Sequence, residues 1–131
     1  MAAIAPGPII ADIDAPCAAA VVAYTFGALN ADTPSVATAT SAAANVGVIT
    51  NTTDTAGDGA GLVLTGKVVP LLVDANSTNI AVGDFIAPTT DGHGIKNSTN
   101  RTAYNAIALQ AADADDATIL VRVEYGVIHS A

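Results

Sequence analysis

The second half of this 131-residue chain repeats the order of residue classes of its first half, at an offset of sixty residues. Asp14-Ala15 returns as Asp74-Ala75, Val22 as Val82, Ala43 as Ala103, Asn45 as Asn105, Val63 as Val123 and Gly66 as Gly126. In each half an Asp-Ala pair precedes a small-residue stretch, then an apolar run (Val21 to Phe26; Ile80 to Ile86) and a turn-rich polar stretch. A short apolar strand follows (Val46 to Ile49; Ala106 to Leu109), then an acidic loop rich in Gly or Ala, then a second strand ending at Gly66 or Gly126. Segments this short, punctuated this often, cannot build long helices, so the repeat predicts two copies of one β-module. Such a pair suits a chain that presents a surface more than one that assembles a catalytic centre.

The local patterns agree. Ile119, Val121, Val123 and Tyr125 share one face of the C-terminal strand, and Leu120, Arg122 and Glu124 the other. Asn105, Ile107 and Leu109 alternate with Ala106, Ala108 and Gln110. Leu62 to Val73 is a long apolar stretch that Pro70 bends or confines to a sheet edge. Phe85 to Pro88 and Gly94 to Lys96 flank Asp91-Gly92, which predicts a hairpin because Gly accepts positive φ. Ser35 to Ala44 is compatible with a short helix or a strand. The expectation is therefore all-β with a minor helical component, in one domain: an extended N-terminal arm over 1–17 and a body over 18–131, with pseudo-repeats at about 12–68 and 72–128.

The arm is defined by Pro6, Pro8 and Pro16, which withhold backbone donors, and by Ile4, Ile9, Ile10 and Ile13, which offer apolar anchors. Apolar residues make up 51% of the chain, but mostly as Ala and Val, with 4% aromatics and no Trp. A buried Ala contributes far less than the roughly 1.5–3 kcal/mol of a buried Val, Leu or Phe. A thin core of this kind favours association with a neighbour. Of the aromatic residues Tyr24, Phe26, Phe85, Tyr104 and Tyr125, several fall within strands and are expected in the core.

Twelve acids against four Lys and Arg leave a net charge of −8, the wrong sign for nucleic acid or an anionic membrane. No apolar run approaches the ~20 residues of a membrane-spanning helix. Cys17 is the sole cysteine, expected as a small buried hydrophobe, and the absence of Lys or Arg before Lys67 predicts no secretory leader and synthesis in a cytoplasm. The Asn-x-Ser/Thr triplets at Asn51, Asn76, Asn97 and Asn100 carry no signal in a Thr-rich chain.

Candidate chemistry is sparse. Gly57-Asp58-Gly59-Ala60-Gly61 lacks the helix and Lys-Ser/Thr of a phosphate loop and is expected to join strands. Asp113, Asp115 and Asp116 lack the Gly and bidentate Glu of a calcium loop and read as a solvated acidic loop. His93 in its turn and His129 near the end have no ligand-spaced neighbours. No Gly-x-Ser-x-Gly elbow is present. The expectation is a non-enzyme without cofactor or metal, a hydrolase using Asp113, Asp115 or His93 being the outlying alternative.

Five second-half segments, Lys67-Val-Val-Pro-Leu-Leu-Val-Asp-Ala-Asn76, Ile80-Ala-Val-Gly-Asp-Phe-Ile86, Thr90-Asp-Gly92, Ala106-Ile-Ala-Leu-Gln-Ala-Ala112 and Thr118-Ile-Leu-Val-Arg-Val123, together resemble the small capsid decoration (cement) proteins of tailed bacteriophages and prophages. Ala19-Ala-Val-Val22, Val46-Gly-Val-Ile49 and Gly61-Leu-Val-Leu64 resemble the same family's N-terminal copy, so the likeness runs over 12–128. Asn105-Ala106 stands where that pattern carries a glycine before Ala-Leu. The resemblance implies a compact β-barrel or β-tulip-like domain, usually a homotrimer. It implies binding to the major capsid protein on the outer surface of the virion, where the protein clamps capsomers after synthesis in the bacterial cytoplasm. The arm residues Ile4, Pro6, Pro8, Ile9, Ile10 and Ile13 are then the expected capsid contacts. A head-fibre or tail-associated β-module that binds a host glycan or another adhesin is the alternative.

Overall fold

The computed structural model describes residues 11–30, 32 and 34–129, and over these the chain is all-β. The strands are β1 (Ile13–Pro16), β2 (Phe26–Asn30), β3 (Ser35–Thr38), β4 (Val46–Ile49), β5 (Gly59–Val63), β6 (Val68–Val73), β7 (Phe85–Pro88), β8 (Gly94–Lys96), β9 (Ala103–Ala108) and β10 (Ala117–Val127). No helix occurs among the described residues; the ambiguous segment from Ser35 is β3 followed by irregular chain. The apolar stretch Leu62 to Val73 is two strands, broken at Gly66, whose φ is 87°.

The first five strands form a sheet in the order β1-β5-β4-β2-β3, and the last five close into a ring, β10-β6-β8-β7-β9. Started from β6, the ring reads β6-β10-β9-β7-β8, so each strand takes the place of the one five earlier. The seams correspond as well. In the second repeat, β6 and β8 meet in parallel through Val73 and Gly94; in the first, β1 and β3 approach through a parallel bridge between Cys17 and Val36.

Backbone pairing fixes the repeat more finely than residue identity does. Phe26 pairs with Val48 and Phe85 with Ile107; Val48 pairs with Val63 and Ile107 with Arg122; Ile49 pairs with Leu62 and Ala108 with Val121. The bonds Tyr24 N–H to Ile49 O, Ile49 N–H to Thr25 O and Thr50 N–H to Gly61 O recur as Gly83 to Ala108, Ala108 to Asp84 and Leu109 to Leu120. The left-handed residues Tyr24 and Gly57 (φ 63° and 94°) recur as Gly83 and Asp116 (φ 92° and 55°). Every one of these correspondences is an offset of fifty-nine, with fifty-eight at β3 (Val36 to Gly94) and fifty-six at β1 (Cys17 to Val73). An offset of sixty is one residue out, and in a strand one residue exchanges the two faces of the sheet. Val63 and Val123, matched in sequence, therefore play different parts.

Aligned in this way, the two interiors trade large side chains for small. Gly27, Ile49, Ala60, Leu62, Val36 and Ala15 of the first repeat stand where the second has Ile86, Ala108, Ile119, Val121, Gly94 and Leu71. A β-carbon added to Gly27 would lie 2.5 Å from Ile49, and one added to Gly94 would lie 2.5 Å from Ile86. Each glycine makes room for a neighbour that its counterpart ring lacks. Interiors conserve total volume, not individual residues, and this is why the repeats retain so little identity.

The buried apolar side chains form two clusters, the larger of which draws on both repeats. β4 is buried on both faces: Ile49 packs with Leu62 and Val36 inside the first repeat, while Phe26, Val46, Val48 and Val63 join the second repeat's interior. Phe26 N–H donates to Gly92 O at 2.7 Å, and Leu72 N–H to Tyr24 O at 2.8 Å. Asn105, fully buried, donates to Ala43 O (2.9 Å) and Val46 O (3.3 Å) and accepts from Ala43 N–H (3.1 Å). It occupies the position of Val46 and pins the loop before β4 to β9.

Candidate functional site

The sheet begins earlier than an arm over 1–17 implies. Asp12 N–H donates to Leu62 O (3.0 Å), Asp12 accepts from Leu64 N–H (2.8 Å), and its carboxylate meets Lys67 Nζ at 2.7 Å. The Lys67 hydrogen bond, aided by that of Leu64, holds the Asp12 carboxyl below its ordinary value. Ile13 is half-buried in β1 opposite Leu62. The other proposed contacts, Ile4, Pro6, Pro8, Ile9 and Ile10, lie outside the described residues.

Gly57 to Gly61 follows the expected course. Asp58 accepts from Asp54 and Thr55 N–H, and β5 starts at Gly59, so a strand and not a helix succeeds the glycines. Cys17 is buried with its sulfur 3.3 Å from Thr53 Oγ1.

Asp113, Asp115 and Asp116 are all exposed in the loop between β9 and β10, as expected, but meet different neighbours. Asp115 accepts weakly from Asn76 N–H at 3.3 Å, and Asp113 borders two shallow grooves whose linings hold no histidine or second carboxylate. Asp116 turns toward His93. Its carboxylate lies 3.6 Å from His93 Nδ1, and Asp74 Oδ1 lies 3.0 Å from the same nitrogen. His93, expected in an exposed turn without ligand-spaced neighbours, is thus four-fifths covered and flanked by two carboxylates. Asp74 follows the end of β6, and His93 and Asp116 precede the starts of β8 and β10, so no spacing along the chain could have joined them. Only the Asp-Ala pair at Asp74, flagged by the repeat, gave any signal.

The aromatics also depart from expectation. Phe26 alone is fully buried. Phe85 and Tyr104 are only partly buried and stack with centroids 4.3 Å apart, and Tyr104 donates to Glu124 at 3.3 Å. Partial burial, with the Glu124 charge beside it, raises the Tyr104 hydroxyl above its ordinary value. Tyr125, expected on the inward face with Ile119, Val121 and Val123, is 44% exposed. The cause is a bulge: β10 advances from Val123 to Gly126 while β9 steps only from Ala106 to Tyr104. The extra residue reverses the faces beyond it, bringing Gly126 under the Tyr104 ring and turning Tyr125 and Val127 outward.

This end of β10 is also a free edge. β6 pairs with β10 only as far as Arg122, and Lys67 accepts from Val123 N–H; among the described residues no strand flanks 124–127 opposite β9. Exposed Tyr125, Val127 and, at the start of β6, Val68 accompany it. No helix among the described residues is long and apolar enough to cross a membrane. No protein-family model and no curated protein matches the chain.

Proposed function

We propose that the chain is a capsid decoration protein, binding the outside of a phage head through apolar burial and strand addition. One observation carries the reading beyond the sequence resemblance: the open end of β10, which no other strand among the described residues flanks opposite β9, with Tyr125 and Val127 exposed. Open strand edges are docking sites for other chains. The net charge of −8 directs such contacts to protein, and shape and apolar area carry more of the recognition than ion pairs. The N-terminal segment with Ile4, Ile9 and Ile10 supplies a second contact, entering the body at β1, the terminal strand of the first sheet.

The test is sedimentation with purified expanded shells of the phage whose genome carries the gene. The intact chain should co-sediment. A chain lacking residues 1–10, and a Tyr125→Lys/Val127→Lys variant, should each bind at least tenfold more weakly with unchanged circular dichroism. Equal binding by both variants refutes the assignment of the contacts, and no binding by the intact chain refutes the function. Light scattering should find trimers at micromolar concentration; a stable monomer there contradicts the homotrimer.

A further inference from the structure

We infer that Asp74, His93 and Asp116 form a divalent-cation site that staples the seam of the second ring. His93 Nδ1 and one oxygen of each carboxylate lie within 4.8 Å of one another. Tetrahedral ligands about 2.1 Å from a zinc ion stand ~3.4 Å apart. The separations from Nδ1 of 3.0 and 3.6 Å bracket that value. One imidazole and two carboxylates are the donor set of a borderline ion such as Zn²⁺, with water as fourth ligand because Asp116 is 77% exposed.

Comparison of the repeats supplies an independent argument. At the same three places of the first repeat stand Ala18, Ser35 and Gly57, none of which can ligate through a carboxylate or imidazole. Ala18 N–H bonds Val36 O as Asp74 N–H bonds Gly94 O, which fixes the first two equivalences; the shared left-handed φ fixes the third. Three residues distant in sequence and adjacent in space all acquired donor side chains in one copy only. Asp116 did so at a left-handed position, where a side chain is disfavoured and Gly57 is free of that cost.

The location gives the ion a use. β6 and β8 are joined by one register pair, Val73 with Gly94, extended by the bond from Asp74 N–H to Gly94 O. This is the thinnest join in the ring, and the three ligands flank the strands that meet there: Asp74 follows β6, and His93 and Asp116 precede β8 and β10. A bound ion links β6, β8 and β10 across it, and its binding energy adds to the stability of the folded ring.

The full chain, stripped with chelator, is titrated calorimetrically with Zn²⁺ and melted with and without the metal. Wild type should bind one ion per chain and melt higher when loaded. Asp116→Gly restores the residue of the first repeat and relieves a left-handed side chain, so its metal-free melting point should equal or exceed wild type. It should nevertheless lose affinity by more than the roughly 10–100-fold that removal of an outer-shell partner costs. His93→Ala should lose binding as well, and His129→Ala should keep it. No stoichiometric binding by wild type, or equal Zn²⁺ affinity in Asp116→Gly, overturns the site.

Discussion

Exchange of side-chain size between the two interiors predicts a strong coupling between Gly94 and Ile86. Gly94 has no positive φ, so Ala is tolerated by the backbone and any cost of Gly94→Ala is a packing cost. Its added β-carbon would lie 2.5 Å from Ile86 Cγ2, 2.9 Å from Leu71 Cδ2 and 3.2 Å from Val73 Cγ1. All three are fully buried and cannot swing into solvent. Overpacking of this kind costs about 1–3 kcal/mol, or roughly 4–12 °C in melting temperature for a domain of this size. Ile86→Ala alone leaves a cavity and should cost about 2–5 kcal/mol. In the Ile86→Ala background the nearest obstacle is gone, and adding Gly94→Ala should cost less than about 0.5 kcal/mol. The double-mutant cycle, read by urea unfolding at constant m-value, should therefore show a coupling of at least ~0.5 kcal/mol. Additive losses would mean that the two positions do not share space, and the account of why the repeats diverged in sequence would fail.

Other expectations concern single contacts. Asn105→Ala removes three hydrogen bonds across the repeat boundary and strands the N–H of Ala43, so it should destabilise by about 2–4 kcal/mol at roughly 1 kcal/mol per bond. A loss below about 0.5 kcal/mol in chemical denaturation would show that the bolt is idle. Asp12→Asn should weaken the chain at neutral pH. Because the folded carboxyl titrates below its unfolded value of 3.8, its contribution is present above that value and is lost as pH falls through the folded pKa. Wild type and variant should thus converge in acid. A gap that persists unchanged into strong acid would assign the effect to something other than the ionised carboxylate.

Much of the fold is legible because its causes are local. Alternation in Ile119 to Val123, the Asp91-Gly92 turn and the Pro-limited apolar run each specify a strand or a turn within a few residues. The hairpin strands Phe85–Pro88 and Gly94–Lys96 accordingly fall where the turn chemistry puts them. Pro70 also keeps its predicted place: Leu72 and Asp74 direct their N–H groups away from β10, so by alternation the donor Pro70 lacks is one on that same side, where no strand flanks it among the described residues. The bulge in β10 had no such marker. It arises where Tyr104 crosses Gly126, a contact between the paired strands β9 and β10 that no local residue pattern announces.

The amino-acid sequence by itself determined the all-β class, the duplication and the acidic, lightly charged surface, since strand periodicity, turn residues and composition act at short range. Tertiary structure decided the rest: that the repeats align at fifty-nine and not sixty, that their interiors trade volume position by position, and that Asp74, His93 and Asp116 converge. Those outcomes depend on pairing across a closed ring. There a side chain's face and neighbours are set by strands twenty to fifty residues away, and compensating substitutions erase the identities that would have revealed them.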